Sequence, residues 1–273
     1  MKENFLIEAR AKQYAIGAFN VNSHDEMIAL ANKAQEMNLP IIMMASMSCA
    51  RFMGAKHFAD FVQILKTDYS VPVYSHLDHC TDPELLLKCV DAGFDYVMFD
   101  GSPLSFDENV RISRDLAKIC HEKGVFIEGE LGVIAGEEGP VKSEYSLFTN
   151  PDDALCFVEQ TGIDSLAVSI GNAHGFYKGV PHLEFELLQQ ISEKCSLPLV
   201  LHGGTGIPDE DIRRAITMGI AKVNVGTEIR KAYANTLCNY VQTAEKPDVR
   251  PFLQALRAGV AGAAERYMNN FRP

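Results

Sequence analysis

The feature that most constrains the fold of this 273-residue chain is an alternation. Short apolar runs return at intervals, and most are followed by a longer stretch with a helical polar–apolar period. The runs are "AIGAFNV" (15–21), "PIIMMAS" (40–46), "VPVYSHL" (71–77), "DYVMFD" (95–100), "VFIEGEL" (125–131), "DSLAVSI" (164–170), "PLVLHG" (198–203) and "KVNVG" (222–226). They are β-branched or otherwise apolar, as strands buried on both faces should be. Eight strands, each followed by a helix, predict a (β/α)8 barrel, the TIM-barrel fold. An open doubly wound sheet is the alternative, but no G-x-G-x-x-G follows the first run, which weakens its dinucleotide-binding version.

The helical stretches carry their own start and stop signals. "SHDEMIALANKAQEMN" (23–38) opens on a serine with an acidic residue three positions on, a capping-box pattern. "DPELLLKCVDAG" has Asp82 as cap, Pro83 at the first helical position and Gly93 past the end. Asn150, Pro151 and Gly162 repeat that grammar, and "PDEDIRRAITMG" (208–219) shows an acidic first turn and a closing glycine. Residues 106–124 form a longer amphipathic helix, and the tail, about 248–270, forms one more as a C-terminal extension. No linker divides the chain, so one domain over 1–273 is expected.

Bulk properties narrow the function classes. A net charge of −11 disfavours nucleic acid and anionic membrane surfaces as partners. A local phosphate site of backbone N–H groups or a metal stays possible at that charge. No apolar run approaches the roughly 20 residues of a membrane span. The start, "MKENFLIEARAKQY", lacks the apolar core of a secretory signal. Seven scattered cysteines without a C-x-x-C predict reduced thiols and a cytoplasmic setting.

A barrel places its active groups at the C-terminal ends of its strands. Read in order, those positions offer Asp78 and His79 after the third run, Asp100 after the fourth and Glu130 ending the fifth. His174 follows the sixth, His202 ends the seventh and Asn224 lies in the eighth. Each histidine alone is more simply a cap, a loop residue or a hydrogen-bonded core residue. Three projecting into one mouth match a catalytic zinc site, with three protein ligands and one open position. His24, His57, His76, His121 and His182 are read as structural. Asp78 and His79 would point to opposite sides of a regular strand, so both reach the mouth only if the strand has ended in a turn. Asp78 is then either an acid/base or a partner orienting a histidine.

Two glycine-rich turns follow the last two runs. "LHGGTGIP" (201–208) brings Gly203, Gly204, Thr205 and Gly206 to a helix start, and "VNVGTE" (223–228) brings Thr227 to another. Phosphate sites recur at this place in barrels. The long stretch 129–148, with Glu137 and Glu138, reads either as a solvated tip or as a lid carrying a base over the site.

With "GAFNV", "HLDHC", "FDGS", "GELG" followed by "GEE", "GNAHGFY", "LHGGTGIP" and "KVNVGTE" in this order, the chain resembles the class II, zinc-dependent ketose-bisphosphate aldolases over about residues 5–260. The resemblance implies a zinc held by His79, His174 and His202, and Asp78 as the group that handles the C4 hydroxyl proton. It implies Glu138 (or its neighbour Glu137) as the base that takes a C3 proton from dihydroxyacetone phosphate. It implies Asp100 and Glu130 as a secondary metal position. Gly175, Gly203, Thr205, Asn224 and Thr227 match the cradle for the C1 phosphate, near which the family often binds a monovalent cation, Na⁺ or K⁺. Asn224 also matches a residue that contacts the enediolate. Arg250, in "PDVRPF", resembles an arginine that reaches the far phosphate from a neighbouring subunit, so a homodimer or homotetramer is expected. Gly226 departs from the pattern: fructose-specific members usually carry Asp there and tagatose-type members Ala. That leans the expected substrate toward tagatose 1,6-bisphosphate or a broader range that includes the fructose epimer. The rivals are an aldolase for another phosphorylated keto-sugar such as 6-phospho-5-dehydro-2-deoxygluconate, a metal-dependent hydrolase and a non-catalytic sugar-phosphate binder. A Schiff-base role for Lys222 would need its amine desolvated in the mouth and is not expected.

Overall fold

In the computed structural model, residues 4–138, 141–143, 147–175, 179, 181–246 and 248–272 are described, with only the backbone for 137, 138 and 141–143. Eight parallel strands close into a barrel. In chain order the strands are β1 (Ile16–Asn20), β2 (Ile41–Ser46), β3 (Val73–Cys80), β4 (Tyr96–Phe99) and β5 (Phe126–Leu131), then β6 (Gly136–Glu138) and β7 (Val141–Ser143), and finally β8 (Ser165–Val168), β9 (Leu199–Leu201) and β10 (Ile220–Val225). Around the barrel the order is β1, β10, β9, β8, β5, β4, β3, β2, back to β1, while β6 and β7 form a separate antiparallel hairpin.

Of the helices, one precedes the first strand, two follow the last, and the others lie between strands in sequence. They are α1 (Phe5–Ala11), α2 (His24–Met37), α3 (Met47–Cys49), α4 (Ala55–Asp68), α5 (Pro83–Ala92), α6 (Phe106–Glu122), α7 (Pro151–Thr161), α8 (Phe185–Lys194), α9 (Asp209–Thr217), α10 (Thr227–Thr243) and α11 (Val249–Phe271). A turn of π-helix, Ala50–Gly54, joins α3 to α4. The expected caps form: Ser23 accepts from Glu26 N, Asp82 from Glu84 N and Leu85 N, and Asn150 from Asp152 N and Asp153 N. Gly93 and Gly162 close their helices in the left-handed conformation.

Two apolar layers result from the strand alternation. Residues pointing outward, such as Phe19, Met43, Val97 and Leu166, join the helices in one large core. Residues pointing inward, such as Ile16, Ala18, Ile42, Met44 and Tyr96, pack with Leu6 and Ala9 of α1. That short helix closes the N-terminal end of the barrel, where the Phe5 ring stacks on Tyr74 at 3.6 Å between centroids. At the other end of the chain the α11 residue Phe271 accepts from Ala15 N through its carbonyl. No helix among the described residues is long and apolar enough to cross a membrane.

Three features differ from the sequence-based expectation. β3 runs on to Cys80 rather than ending at 77, because its ladder with β2 continues through the pair Ser46 and Asp78. The stretch 129–148 contains the hairpin β6–β7 rather than loop alone. The helix α1, ahead of the first strand, and the short α3 add to those anticipated.

Candidate active site

The C-terminal mouth is built around an irregularity in β3. Asp78 and His79 lie within the strand, not in a turn after it. The register against β4 shifts between Leu77 and Cys80, and His79 takes φ 43°. A left-handed non-glycine residue is strained by roughly 1–3 kcal/mol, and histidine is among the types that tolerate it. The gain is geometric: the bulge turns the His79 side chain to the same mouth as that of Asp78, against the strand's normal alternation.

His79, His174 and His202 converge there, with one ligand-type atom of each within 4.8 Å of the others. His79 Nε2 lies 2.6 Å from His202 Nδ1. The outer nitrogens face carboxylates. His79 Nδ1 is 3.0 Å from Asp100 Oδ2, and His202 Nε2 is 2.9 Å from Glu128 Oε1. All of these groups are at least nine-tenths buried. An N–H given to a carboxylate leaves the opposite nitrogen as a lone-pair donor facing the cleft. Two such imidazoles, with that of His174, fit a zinc-type divalent ion. Asp100, Glu130 and His79 form a second group that could hold a cation.

The electrostatics express a contest for few protons. Burial raises the Asp78 carboxyl, but the His79, His202 and Lys222 charges outweigh it and bring it down to about 2. Burial lowers His79, yet Asp78, Asp100 and Glu130 push it up to about 10. His202 falls to about 4 through burial and the neighbouring His79, and His174 falls well below the usual range for the same reasons. Glu130 is pushed well up by burial and by Asp100. A divalent cation would take the place of the proton between His79 Nε2 and His202 Nδ1.

Asp78 is held by amides. Asn20 Nδ2 donates to its Oδ2 at 2.8 Å, and Asn224 Nδ2 to its Oδ1 at 3.1 Å. Both donors fix the carboxylate in the cleft beside the histidines. Asn224 Oδ1 is buried with no hydrogen-bond partner among the described residues, an acceptor left for a ligand hydroxyl.

The same cleft is lined by Gly175, Gly203, Thr205, Gly226 and Thr227. Gly203 sits at φ 66°, and a Cβ there would stand 2.0 Å from Ala173 O. The β9–α9 turn can therefore press against the β8–α8 segment only as glycine. α10 begins at Thr227 on the cleft with no side chain capping its N-terminus. Free N–H groups there suit an anion.

Other predicted residues fall elsewhere. Arg250 is in the first turn of α11, largely exposed, 3.8 Å from Asp248, and does not line the cleft. The side chains of Glu137 and Glu138 lie outside the described residues. Lys222 is fully buried beneath the cleft and paired with Glu128 at 3.0 Å, so it is not presented to a substrate carbonyl. His76 is buried in the barrel, its ring 5.3 Å from that of Tyr96. Sequence reasoning missed two residues. Asn20 could have been found as the polar residue ending β1. Glu128 could have been found from the acids at alternate positions of "FIEGEL".

Known proteins resemble this chain over nearly its whole length. The sequence profile described as "Fructose-bisphosphate aldolase class-II" matches residues 2–273. A fructose-bisphosphate aldolase of Staphylococcus aureus (strain Mu50) is 38% identical over 275 residues, covering 99% of this chain and 96% of that protein. One from Geobacillus stearothermophilus is 39% identical over 277 residues, covering 98% and 96%. Among solved structures, the YdjI aldolase from Escherichia coli K12 superposes with a TM-score of 0.87 at 32% identity, covering 98% of this chain and 95% of that one. The fructose-bisphosphate aldolase (Fba) of Campylobacter jejuni gives 0.83 at 25% identity, covering 97% and 92%.

Proposed function

The chain belongs to the class-II fructose-bisphosphate aldolase family and is a lyase of the aldolase type; from that premise we propose that it reversibly cleaves the C3–C4 bond of a ketose 1,6-bisphosphate to dihydroxyacetone phosphate and glyceraldehyde 3-phosphate. The observation that carries this is the placement of a doubly held carboxylate, Asp78, beside three converging histidines and a glycine-lined anion cradle.

His79, His174 and His202 would hold zinc. Bound there, zinc supplies Lewis-acid stabilisation of the negative charge that develops on substrate oxygens as the bond breaks. The residues of the chain do the rest. Asp78, ionised across the physiological range, accepts the C4 hydroxyl proton as the aldehyde departs. Asn224 offers its free Oδ1 to a substrate hydroxyl. The turn through Gly203 and Thr205, Gly175 and the α10 start at Thr227 bind the C1 phosphate and so hold the sugar in reactive position. Glu138 exchanges the C3 proton. Asp100 and Glu130 would form a secondary metal position, and the phosphate cradle would take a monovalent cation beside it. Arg250, exposed and away from its own cleft, serves the far phosphate of a neighbouring subunit's site in a homo-oligomer working in the cytoplasm.

Gly226 brings no carboxylate to the cleft to distinguish epimers at C4. Both fructose and tagatose 1,6-bisphosphate are therefore substrates, the first in keeping with the names of the relatives. A cleavage panel of these two sugars and 6-phospho-5-dehydro-2-deoxygluconate, with and without chelator, tests the proposal. Dihydroxyacetone phosphate should appear from both bisphosphates, vanish on exhaustive chelation and return with zinc. Full activity after chelation, or hydrolysis of simple esters in place of aldol cleavage, would sink it.

A further inference from the structure

Directly beneath the three histidines the barrel interior is polar. Barrel interiors are ordinarily packed with branched aliphatic side chains. Here Glu128 of β5 and Lys222 of β10 meet instead, both fully buried. Lys222 Nζ lies 3.0 Å and 3.2 Å from the two Glu128 oxygens. Ser165 Oγ donates to Glu128 at 3.2 Å, and His202 Nε2 lies 2.9 Å from its Oε1. The fold itself gains little from such a pair. Desolvation offsets the attraction, and apolar residues of similar volume commonly replace a buried ion pair at no cost. What the pair does is local. Oε1 is bonded to His202 Nε2 on one side and to Lys222 on the other, so the carboxylate cannot swing away from the ring.

We propose that Glu128 and Lys222 are positioning residues for His202: Glu128 takes the Nε2–H, Lys222 anchors Glu128, and Nδ1 is thereby the nitrogen turned toward His79 and the cleft. This rests on the reading of His79, His174 and His202 as metal ligands. With Glu128 gone, His202 is free to carry its proton on Nδ1, where it has no lone pair for a cation, and to rotate about its side-chain bonds. Outer-shell partners of this kind typically control metal affinity by 10- to 100-fold.

The test measures zinc affinity by competition with a chromogenic chelator, together with the thermal midpoint of the metal-free protein. Removing one charge alone would strand the other in the interior, so paired neutral variants are used. Glu128→Leu/Lys222→Met removes the acceptor and should weaken zinc binding 10- to 100-fold while the metal-free midpoint stays near that of the wild type. Glu128→Gln/Lys222→Met keeps a neutral carbonyl acceptor in place and should recover most of that loss. A cobalt-loaded sample should report the same order through its visible absorption, because a displaced His202 alters the ligand field. Wild-type zinc affinity in Glu128→Leu/Lys222→Met would overturn this inference and leave the metal site standing. A wild-type protein that binds no zinc would overturn both.

Discussion

At the residue scale the site turns on how one carboxylate is held. Asp78 receives one amide from Asn20 and one from Asn224. Asn20 reaches it past Gly226, where an added Cβ would stand 2.5 Å from Asn20 Oδ1. Read as sequence, Gly226 is an absent carboxylate; in three dimensions it is also the space that the Asn20 side chain occupies. Gly226→Ala should push Asn20 off Asp78. Losing one hydrogen bond to a charged group corresponds to about 1.5–3 kcal/mol, or a fall in kcat of roughly 10- to 150-fold. Zinc content should be unchanged. A kcat within twofold of the wild type, measured on metal-replete protein, would show that the amide does not hold the carboxylate. The placement of Asp78 and His79 at the mouth was legible from residue type and strand order. Their shared direction was not, because it depends on the register shift against β4, which involves a strand distant in sequence.

At the scale of elements the helix signals could be read directly, because caps act within a few residues. The hairpin β6–β7 could not, although the dipeptide Gly139-Pro140 separates its strands in sequence, because strands of three residues are too short to show an alternation. Its approach to the site is through the backbone. Ala135 O accepts from His174 N at 2.8 Å, and Ala135 and Ala173 form a parallel bridge. Gly136 follows at φ 107°, and a Cβ there would stand 2.4 Å from His174 O. The base of the hairpin and a candidate metal ligand are thus one packed unit. Gly136→Ala must move one of them. Zinc affinity is expected to fall about tenfold or more, an effect on the order of 1.4 kcal/mol, and the strain of an alanine held at φ 107° to lower the thermal midpoint of the metal-free protein as well. Chelator competition checks this; unchanged affinity would mean that the segment yields without disturbing His174.

At the scale of the whole molecule the two ends of the barrel divide the work. The N-terminal end is apolar and closed by α1, with Leu6 fully buried against the interior layer. The C-terminal end carries the ionisable cluster. Leu6→Ala should cost about 2–5 kcal/mol of stability, read by denaturant unfolding, while kcat per folded molecule stays as it was. A large loss of kcat at full folding would contradict that division. By itself the sequence determined the barrel, because eight apolar runs alternating with capped helices have few other ways to bury both faces of a sheet. It also determined which residue types crowd the mouth, because the C-terminal ends of strands follow from strand order. Only the tertiary structure decided which nitrogens of His79 and His202 face inward, what holds Asp78, and that Glu128 and Lys222 meet beneath His202. Those facts depend on contacts between residues 21 to 146 positions apart in the chain, and no local pattern records them.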